Sequence, residues 1–412
     1  MADPSQTPVF AIVGAGQAGA ELAKTLRKRG FGGHVLLLGD EPHLPYRRPP
    51  LSKAYLAGKA APDSFVLIRE AQLEKERIEY VRGVRVEKID RATRTLHLSN
   101  GQTRHYDKLA LTTGGRPRPL PLEGANGDNV FALRRLVDVD RLRPELQAGR
   151  RVVIVGGGFI GLEVAAVLGK LGLEVTVLEG LPRVLSRVTG EEMSAFYEHK
   201  HRSAGVDLRT GAKLAGFVGA PRVTAVKLDD GTEIPADVVL VGIGQLPNVE
   251  LAQDAGVKVD NGIVVDEYAQ SSDPDIVAAG DCANFPNRLY GRRLRLESVQ
   301  NAMDQSRVAA ATMMGAREAY DALPWFWSDQ YDLKLQMAGL SAGYDAKVVR
   351  GKVEDGTFAV FYLKDGVVIS ADMVNRGPEF GFAKKLIVTR AKPDVQRLAD
   401  VNVPLKELVP EA

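Results

Sequence analysis

The sequence predicts an α/β protein with two Rossmann-like dinucleotide-binding domains followed by a C-terminal α+β domain. Two observations carry the first part: a strand, a glycine turn, a helix, a second strand and an acid occur in that order, and the whole series occurs twice. A third observation carries the rest: from about Pro324 the texture changes to short alternating runs with hairpin-turn signals. A chain of 412 residues has room for two or three domains.

The first copy opens with Val9-Phe10-Ala11-Ile12-Val13 and continues Gly14-Ala15-Gly16-Gln17-Ala18-Gly19. A helical stretch runs to Arg29, and the apolar run 34–38 ends at Gly39-Asp40. The second copy opens with Arg151-Val152-Val153-Ile154-Val155 and continues Gly156-Gly157-Gly158-Phe159-Ile160-Gly161. Its helix reaches Leu171, and its second strand, 174–178, ends at Glu179.

Chemistry explains the spacing. The first glycine allows the tight turn, the second lets the backbone approach a pyrophosphate, and the third lets helix and strand pack closely. The helix N-terminus offers free N–H groups and a partial positive charge to phosphates. The closing acid accepts hydrogen bonds from ribose hydroxyls. Asp40 lies 26 residues after Gly14 and Glu179 lies 23 after Gly156, near the roughly 20 of the dinucleotide fingerprint. One such motif is weak evidence; two in full context imply two dinucleotides, or one dinucleotide and one relic fold.

Further segments fall in a consistent order. Tyr106-Asp107-Lys108-Leu109-Ala110-Leu111-Thr112-Thr113-Gly114-Gly115 reads as a strand entering a glycine turn before the second motif. Asp237-Val238-Val239-Leu240-Val241-Gly242-Ile243-Gly244 is its counterpart after that motif. Asp275-Ile276-Val277-Ala278-Ala279-Gly280-Asp281 is another apolar strand closed by Gly-Asp. An acid there either bonds the sugar-alcohol chain of a flavin or is a plain strand-end turn. In the C-terminal part, runs 347–351 and 358–363 alternate, and Lys364-Asp365-Gly366 is a hairpin turn leading into 367–369. A helix-compatible stretch spans 379–390.

Composition bounds the function. Hydrophobic residues are 45% and charged residues 26%, an ordinary globular balance. A formal net charge of +2 gives no argument for nucleic acid or membrane. No apolar run approaches the ~20 residues of a membrane helix, and residues 1–8 lack a basic stretch followed by an apolar run. A soluble, cytoplasmic protein is expected. The single cysteine, Cys282, excludes an internal disulfide framework or a dithiol pair within one chain. No metal site is expected: the six histidines form no metal-like cluster, and His199 and His201, two apart, would point to different sides of a helix.

The double glycine motif with its Thr-Gly-Gly and Gly-Asp turns resembles the glutathione-reductase-like flavoproteins. More specifically, the chain is similar to the oxygenase-coupled NADH:ferredoxin reductases. The residues that carry this are Pro45-Tyr46-Arg47-Arg48-Pro49-Pro50-Leu51-Ser52-Lys53, Gly157-Gly158-Phe159-Ile160-Gly161-Leu162-Glu163, Gly280-Asp281-Cys282-Ala283 and Pro324-Trp325-Phe326-Trp327-Ser328-Asp329-Gln330-Tyr331. The resemblance covers essentially the whole chain. It implies electron flow from NADH through FAD to a two-iron, two-sulfur ferredoxin, which feeds a haem-thiolate monooxygenase or an aromatic-ring dioxygenase.

The resemblance also implies a layout: a discontinuous FAD-binding domain over 1–115 and 245–322, an NADH-binding domain over 116–244, and a C-terminal interface domain over 323–412. It assigns Gly14, Gly16, Ala18, Gly19, Asp40, Arg48, Lys53, Val86, Thr113, Gly114, Arg134, Asp281, Val299 and Trp327 to FAD. Within that set Asp40 would meet the adenosine ribose, and Lys53 and Trp327 would lie near the flavin ring. Gly156, Gly158, Ile160, Gly161, Glu179 and Gly244 are assigned to NADH, with Glu163 near the nicotinamide. Lys53, Glu163 and Trp327 are the expected catalytic residues.

Disulfide reductases of the wider group place a cysteine pair beside the flavin, whereas Leu51-Ser52-Lys53 here has no sulfur. Electrons are therefore expected to leave directly from the flavin, one to each of two ferredoxins. Lys53 would stabilise negative charge on the reduced flavin, or it is a solvent-facing lysine after a turn. Trp327 caps the flavin or is core. Glu179 argues for NADH, because an acid repels a 2′-phosphate, with Arg183 and Arg187 softening the preference. An acidic ferredoxin requires a basic face: Arg288, Arg292, Arg293 and Arg295 are one candidate, Lys384 and Lys385 another. The competing readings are a reductase of rubredoxin or a small-molecule acceptor, and a redox-sensitive binding module of the apoptosis-inducing-factor kind.

Overall fold

A computed structural model describes residues 7–411. The first six residues of the stretch read for a secretory signal lie outside these. The chain gathers into two compact units. The first is built from residues up to Arg47, from Pro62–Arg116 and from Leu246–Pro324; the second takes Arg48–Ala61, Pro117–Gln245 and the residues from Trp325 onward. The segment Arg48–Ala61, part of the FAD-binding segment in the sequence layout, thus packs with the second unit.

In the first unit, five parallel strands stand in the order Ile276–Ala278, Lys108–Leu111, Val9–Val13, His34–Gly39, Ile78–Arg82. Beyond His34 and Lys108 at their starts, the central strands are apolar because both faces are covered. Helix Gln17–Lys28 places Leu22 and Leu26 against Phe10, Ile12, Val35 and Leu37, and helix Val299–Met313 adds Ala309, Ala310 and Met313 to the same core. Each large side chain buried this way is worth about 1.5–3 kcal/mol.

The second unit repeats the design. Its parallel sheet runs Asp207–Thr210, Glu174–Glu179, Arg151–Val155, Val238–Val241, Val130–Phe131. In both units, counting from the strand that enters the glycine turn, a three-stranded antiparallel sheet is spliced in between the third and fourth parallel strands, at 86–105 in the first and 214–235 in the second. The repeat read from the sequence is thus a repeat of whole folds, glycine turn included.

The second unit also carries a five-stranded antiparallel sheet, ordered Trp325–Gln330, Leu333–Gly339, Val367–Val374, Thr357–Lys364, Ala346–Lys352. Strand Thr357–Lys364 is buried over six consecutive residues rather than alternately. Helix Gly377–Val388 packs on this sheet, and Phe196 of helix Glu191–Ser203 meets Phe358 edge-on at 4.9 Å. Arg350 is fully buried; its guanidinium pairs with Glu379 at 2.8 Å and donates to the carbonyls of Asp400 and Val403, fastening the last segment to the sheet. Asp372 is also fully buried. It accepts from the hydroxyls of Thr189 and Tyr362, its Oδ1 has no hydrogen-bond partner, and burial pushes its carboxyl up to about 7.

Candidate active site

The two glycine turns share one construction. Gly14 sits at φ 108° and Gly156 at 115°, and a Cβ there would stand 2.3 Å from the Thr112 carbonyl oxygen and 2.4 Å from that of Gly242. A Cβ on Gly19 would stand 1.9 Å from the Gly14 oxygen, and one on Gly161 would stand 2.1 Å from the Gly156 oxygen. The middle glycines differ: a Cβ on Gly16 or on Gly158 would meet nothing within 4 Å. Packing therefore demands the outer two glycines, and the space over the middle one belongs to something else.

The surroundings suit an anionic dinucleotide. Helices Gln17–Lys28 and Phe159–Lys170 both start without a side-chain cap and without an acid in the first turn. Helix Glu191–Ser203, by contrast, starts with Glu191 and Glu192. Uncapped N–H groups with a partial positive charge are what phosphates bind. In the first unit, Gln17 Oε1 and Gln305 Nε2 are buried with no hydrogen-bond partner. The opposite end of the Gln305 amide accepts from Gly280 N–H at 2.9 Å, in the Gly-Asp turn.

The first unit collects most of the residues assigned to FAD. Asp40 ends the second strand, 3.4 Å from Arg85. Ala18 is buried beside the Gly280 turn, where a glycine Cβ would come within 3.1 Å of its methyl. Thr113 Oγ1 donates to the Asn248 carbonyl at 2.7 Å, and Gly114 follows at φ 64°. Val86 is buried in the antiparallel sheet. Asp281 follows Gly280, and Val299 opens the helix capped by Ser298. Cys282 is wholly buried, its sulfur 3.5 Å from the carbonyls of Leu111 and Ala279, and burial pushes its thiol up. It packs as a small core residue.

The second unit holds the rest. Glu179 closes the second strand with both carboxylate oxygens engaged: Oε2 accepts from Gly157 N–H at 2.7 Å and Oε1 from Leu181 N–H at 2.8 Å. Ile160 is about half exposed at the mouth of this cradle, and Gly244 sits at φ 103°. Arg48 donates to the Arg134 carbonyl, so these two meet. Tyr55 OH bonds Asp140 at 2.5 Å, seating segment 48–61 on helix Leu136–Leu142.

The centre of this unit is Glu163. It lies one turn inside the helix that starts after Gly158 and is 4% exposed. Three donors surround it: Ser52 Oγ at 2.6 Å and Lys53 Nζ at 2.5 Å on Oε2, and Ser328 Oγ at 2.7 Å on Oε1. A buried carboxylate is tolerated only when paired and hydrogen-bonded, and this one is both. Pro49 and Pro50 open the short helical turn Pro49–Ser52 that presents Ser52 and Lys53. Phe326 packs on Phe159 at 4.6 Å, holding strand Trp325–Gln330 to the helix that bears Glu163. Trp327 is half-buried and lies tilted on Trp325 at 5.6 Å.

Lys53, Glu163 and the second cradle therefore share one unit with Trp327. Ser52 and Ser328 were not singled out from the sequence, although both lie inside the motifs quoted above; their only signal was position beside Lys53 and Trp327. Of the basic candidates, Arg293 and Arg295 are engaged structurally, Arg293 by the Val265 and Asn284 carbonyls and Arg295 by Glu297 at 2.7 Å. Arg288 and Arg292 are exposed. Lys384 stacks over Trp325 and Phe380, and Lys385 over Phe382.

Two glycine turns at uncapped helix starts and a buried Glu–Lys pair fit a flavin- and pyridine-nucleotide-dependent oxidoreductase. The family model described as pyridine nucleotide-disulphide oxidoreductase matches residues 9–306, and one described as reductase C-terminal matches 325–409. The chain belongs to the pyridine nucleotide-disulphide oxidoreductase family, among the ferredoxin reductases of oxygenase systems. It is 48% identical to putidaredoxin reductase of Pseudomonas putida, over 97% of this chain and 96% of that one. It is 42% identical to the ferredoxin–NAD(+) reductase component of the anthranilate 1,2-dioxygenase system of Burkholderia cepacia, over 96% and 98%. The solved covalent complex of putidaredoxin reductase with putidaredoxin superposes with a TM-score of 0.95 at 47% identity, covering 98% of this chain and 99% of that one. Among the described residues, no helix is long and apolar enough to cross a membrane.

Proposed function

We propose that this chain is a cytoplasmic NADH-dependent ferredoxin reductase that uses FAD and delivers single electrons to a two-iron, two-sulfur ferredoxin serving a monooxygenase or dioxygenase. The observation that carries the reading is the doubled cradle, in which Gly16 and Gly158 face open space at uncapped helix starts. The names of the relatives support the acceptor, and the anthranilate-system relative supports NAD. FAD, when bound, supplies the conversion of a two-electron hydride into single electrons.

The chain's own residues bind and orient. Gly14, Gly16 and Gly19 with Asp40 and Asp281 take the FAD; Gly156, Gly158, Gly161 and Glu179 take the NADH. The carboxylate of Glu179, already fixed by two backbone N–H groups, offers its remaining lone pairs to ribose hydroxyls and repels a 2′-phosphate. Glu163 holds the Lys53 ammonium in place, and that cation favours negative charge at the flavin ring. With no thiol among residues 51–53, no disulfide intervenes. The division into an FAD part at 1–115 and 245–322, an NADH part at 116–244 and an interface part at 323–412 belongs to the same proposal.

Anaerobic stopped-flow mixing of the yellow protein with NADH, then with an acidic two-iron ferredoxin, tests this. Bleaching by NADH followed by fast reoxidation by ferredoxin is expected. Bleaching without that reoxidation would replace the acceptor by rubredoxin or a small molecule, and no bleaching would end the proposal.

A further inference from the structure

Beyond Glu163 the hydrogen bonds continue. Ser328 Oγ, which meets Glu163 Oε1 at 2.7 Å, also lies 3.2 Å from Gln330 Nε2. Gln330 Oε1 lies 2.9 Å from His201 Nε2, and His201 Nδ1 lies 3.0 Å from Tyr331 OH. Ser328, Gln330 and His201 are at most 1% exposed. Tyr331, at the strand end, opens on a surface pocket lined with Lys170, Lys200, Ser203 and Asp332. None of these links serves the function argued above.

Burial makes all the bonds run the same way, because a buried donor or acceptor left unmade is costly. Burial also pushes the His201 imidazole down, so the ring is neutral and carries one N–H. If Tyr331 donates to Nδ1, then Nε2–H donates to the Gln330 oxygen, the Gln330 NH2 donates to Ser328, and the Ser328 hydroxyl is left to donate to Glu163. Burial pushes the Tyr331 phenol up to about 12, so its hydroxyl keeps its proton, and the ammonium groups of Lys170 and Lys200 lie 5.6 and 5.7 Å from the centre of its ring. The reversed chain, with the other tautomer and a flipped amide, would turn an oxygen lone pair of Ser328 toward Glu163. An ionised carboxylate does not accept that arrangement.

We propose that Ser328, Gln330, His201 and Tyr331 are positioning residues. Their one-way chain keeps the Glu163 carboxylate an oriented acceptor and thereby holds Lys53 in place. This rests on the function proposed above for the role of Glu163 and Lys53, while the chain's direction is a property of the protein alone. Other charged or titratable groups facing this region are Asp329 on the strand of Ser328, Tyr197 on the helix of His201, and Asp372, whose charge also acts on Tyr197.

The polarity is testable through the His201 tautomer. Imidazole-nitrogen NMR on the flavin-loaded full chain reads it, with the His201 signals identified by their loss in His201→Asn. The Nε2–H form is expected. In Glu163→Gln the Lys53 ammonium demands the amide oxygen, so the amide NH2 faces Ser328. The whole chain should then reverse, moving His201 to the Nδ1–H form. Cutting the chain with Ser328→Ala should make the tautomer the same whether residue 163 is Glu or Gln. A merely structural serine would lower thermal stability and leave the His201 tautomer responding to residue 163 as before. The Nδ1–H form in the native protein, or an unchanged tautomer in Glu163→Gln, would overturn the proposal. Failure to reduce any ferredoxin would instead remove the function above and leave the tautomer result standing.

Discussion

Lys53 Nζ and Glu163 Oε2 stand 2.5 Å apart, yet the lysine side chain is 22% exposed and the glutamate 5%. The anion is inside and the cation at the edge, so the two halves of the pair are unequal. Lys53→Met leaves a buried carboxylate with two hydroxyl donors, whereas Glu163→Gln leaves a lysine that reaches water.

Lys53→Met is therefore expected to destabilise the protein more than Glu163→Gln, by about 1–3 kcal/mol. Hydride transfer from NADH should slow about 10- to 100-fold in Lys53→Met. Thermal unfolding and stopped-flow bleaching check the two halves separately. An unchanged bleaching rate would remove Lys53 from the chemistry.

The glycines separate folding from binding. Gly14→Ala and Gly19→Ala drive a methyl into backbone oxygens and should fail to give a stable fold. Gly158→Ala meets no protein atom, so its thermal midpoint in the absence of nucleotide should stay within a few degrees of the parent. Its KM for NADH should rise at least about tenfold. A Gly158→Ala enzyme with unaltered KM would show that the open space is not a pyrophosphate site.

Glu179→Ala removes the acid that rejects a 2′-phosphate and also frees the N–H groups of Gly157 and Leu181. The ratio of kcat/KM for NADH over NADPH should fall about tenfold or more. Equal use of both nicotinamides by the parent protein would already defeat the NADH assignment.

Asp372 makes a prediction about pH. Its carboxyl is raised from 3.8 to about 7 in the folded chain, so between those values the native state keeps a proton that the unfolded chain releases. Its contribution to stability is complete below about 4 and is lost as pH rises to about 7. Asp372→Asn cannot ionise, so relative to the parent it should gain roughly 2 kcal/mol of stability between pH 5 and pH 8. Denaturant unfolding at the two pH values measures this, and a constant difference between the proteins would mean that Asp372 titrates normally.

Electron delivery to an acidic ferredoxin should slow about tenfold from low to moderate salt. Reversing the exposed Arg288 and Arg292 should weaken that dependence, while Arg293 and Arg295, held by structural partners, would lose folding stability instead. A salt-independent rate would place docking elsewhere.

The doubled fold was legible because its determinants are local: a glycine that must admit a carbonyl oxygen at Gly14 or Gly156 leaves a mark at fixed spacing. The hairpin at Lys364-Asp365-Gly366 was legible for the same reason, and Asp365 takes the left-handed conformation there. The surroundings of Glu163 were not, because Ser52 and Ser328 lie 111 and 165 residues from it and meet it only through packing. Serines carry no pattern of their own. Buried Asp372 was equally hidden: within an apolar strand it reads as a solvent-facing residue, and only the Thr189 and Tyr362 hydroxyls explain it. The placement of segment 48–61 with the second unit also follows from packing, through Tyr55 and Asp140 rather than through order along the chain.

The interleaving of segments has a consequence for synthesis. The first parallel sheet takes its edge strand from Ile276–Ala278, so a nascent chain that has already completed the helix Gln17–Lys28 must wait for some 250 further residues before that sheet is whole. The second unit waits longer, since Ser328 and the sheet beside it come near the end of translation. The apolar strand Lys108–Leu111, paired on one side with Val9–Val13, spends that interval with its other edge unpaired. The two units therefore close one after the other, both late in synthesis, and the exposed strand edge in between is the kind of surface that aggregates or that chaperones cover.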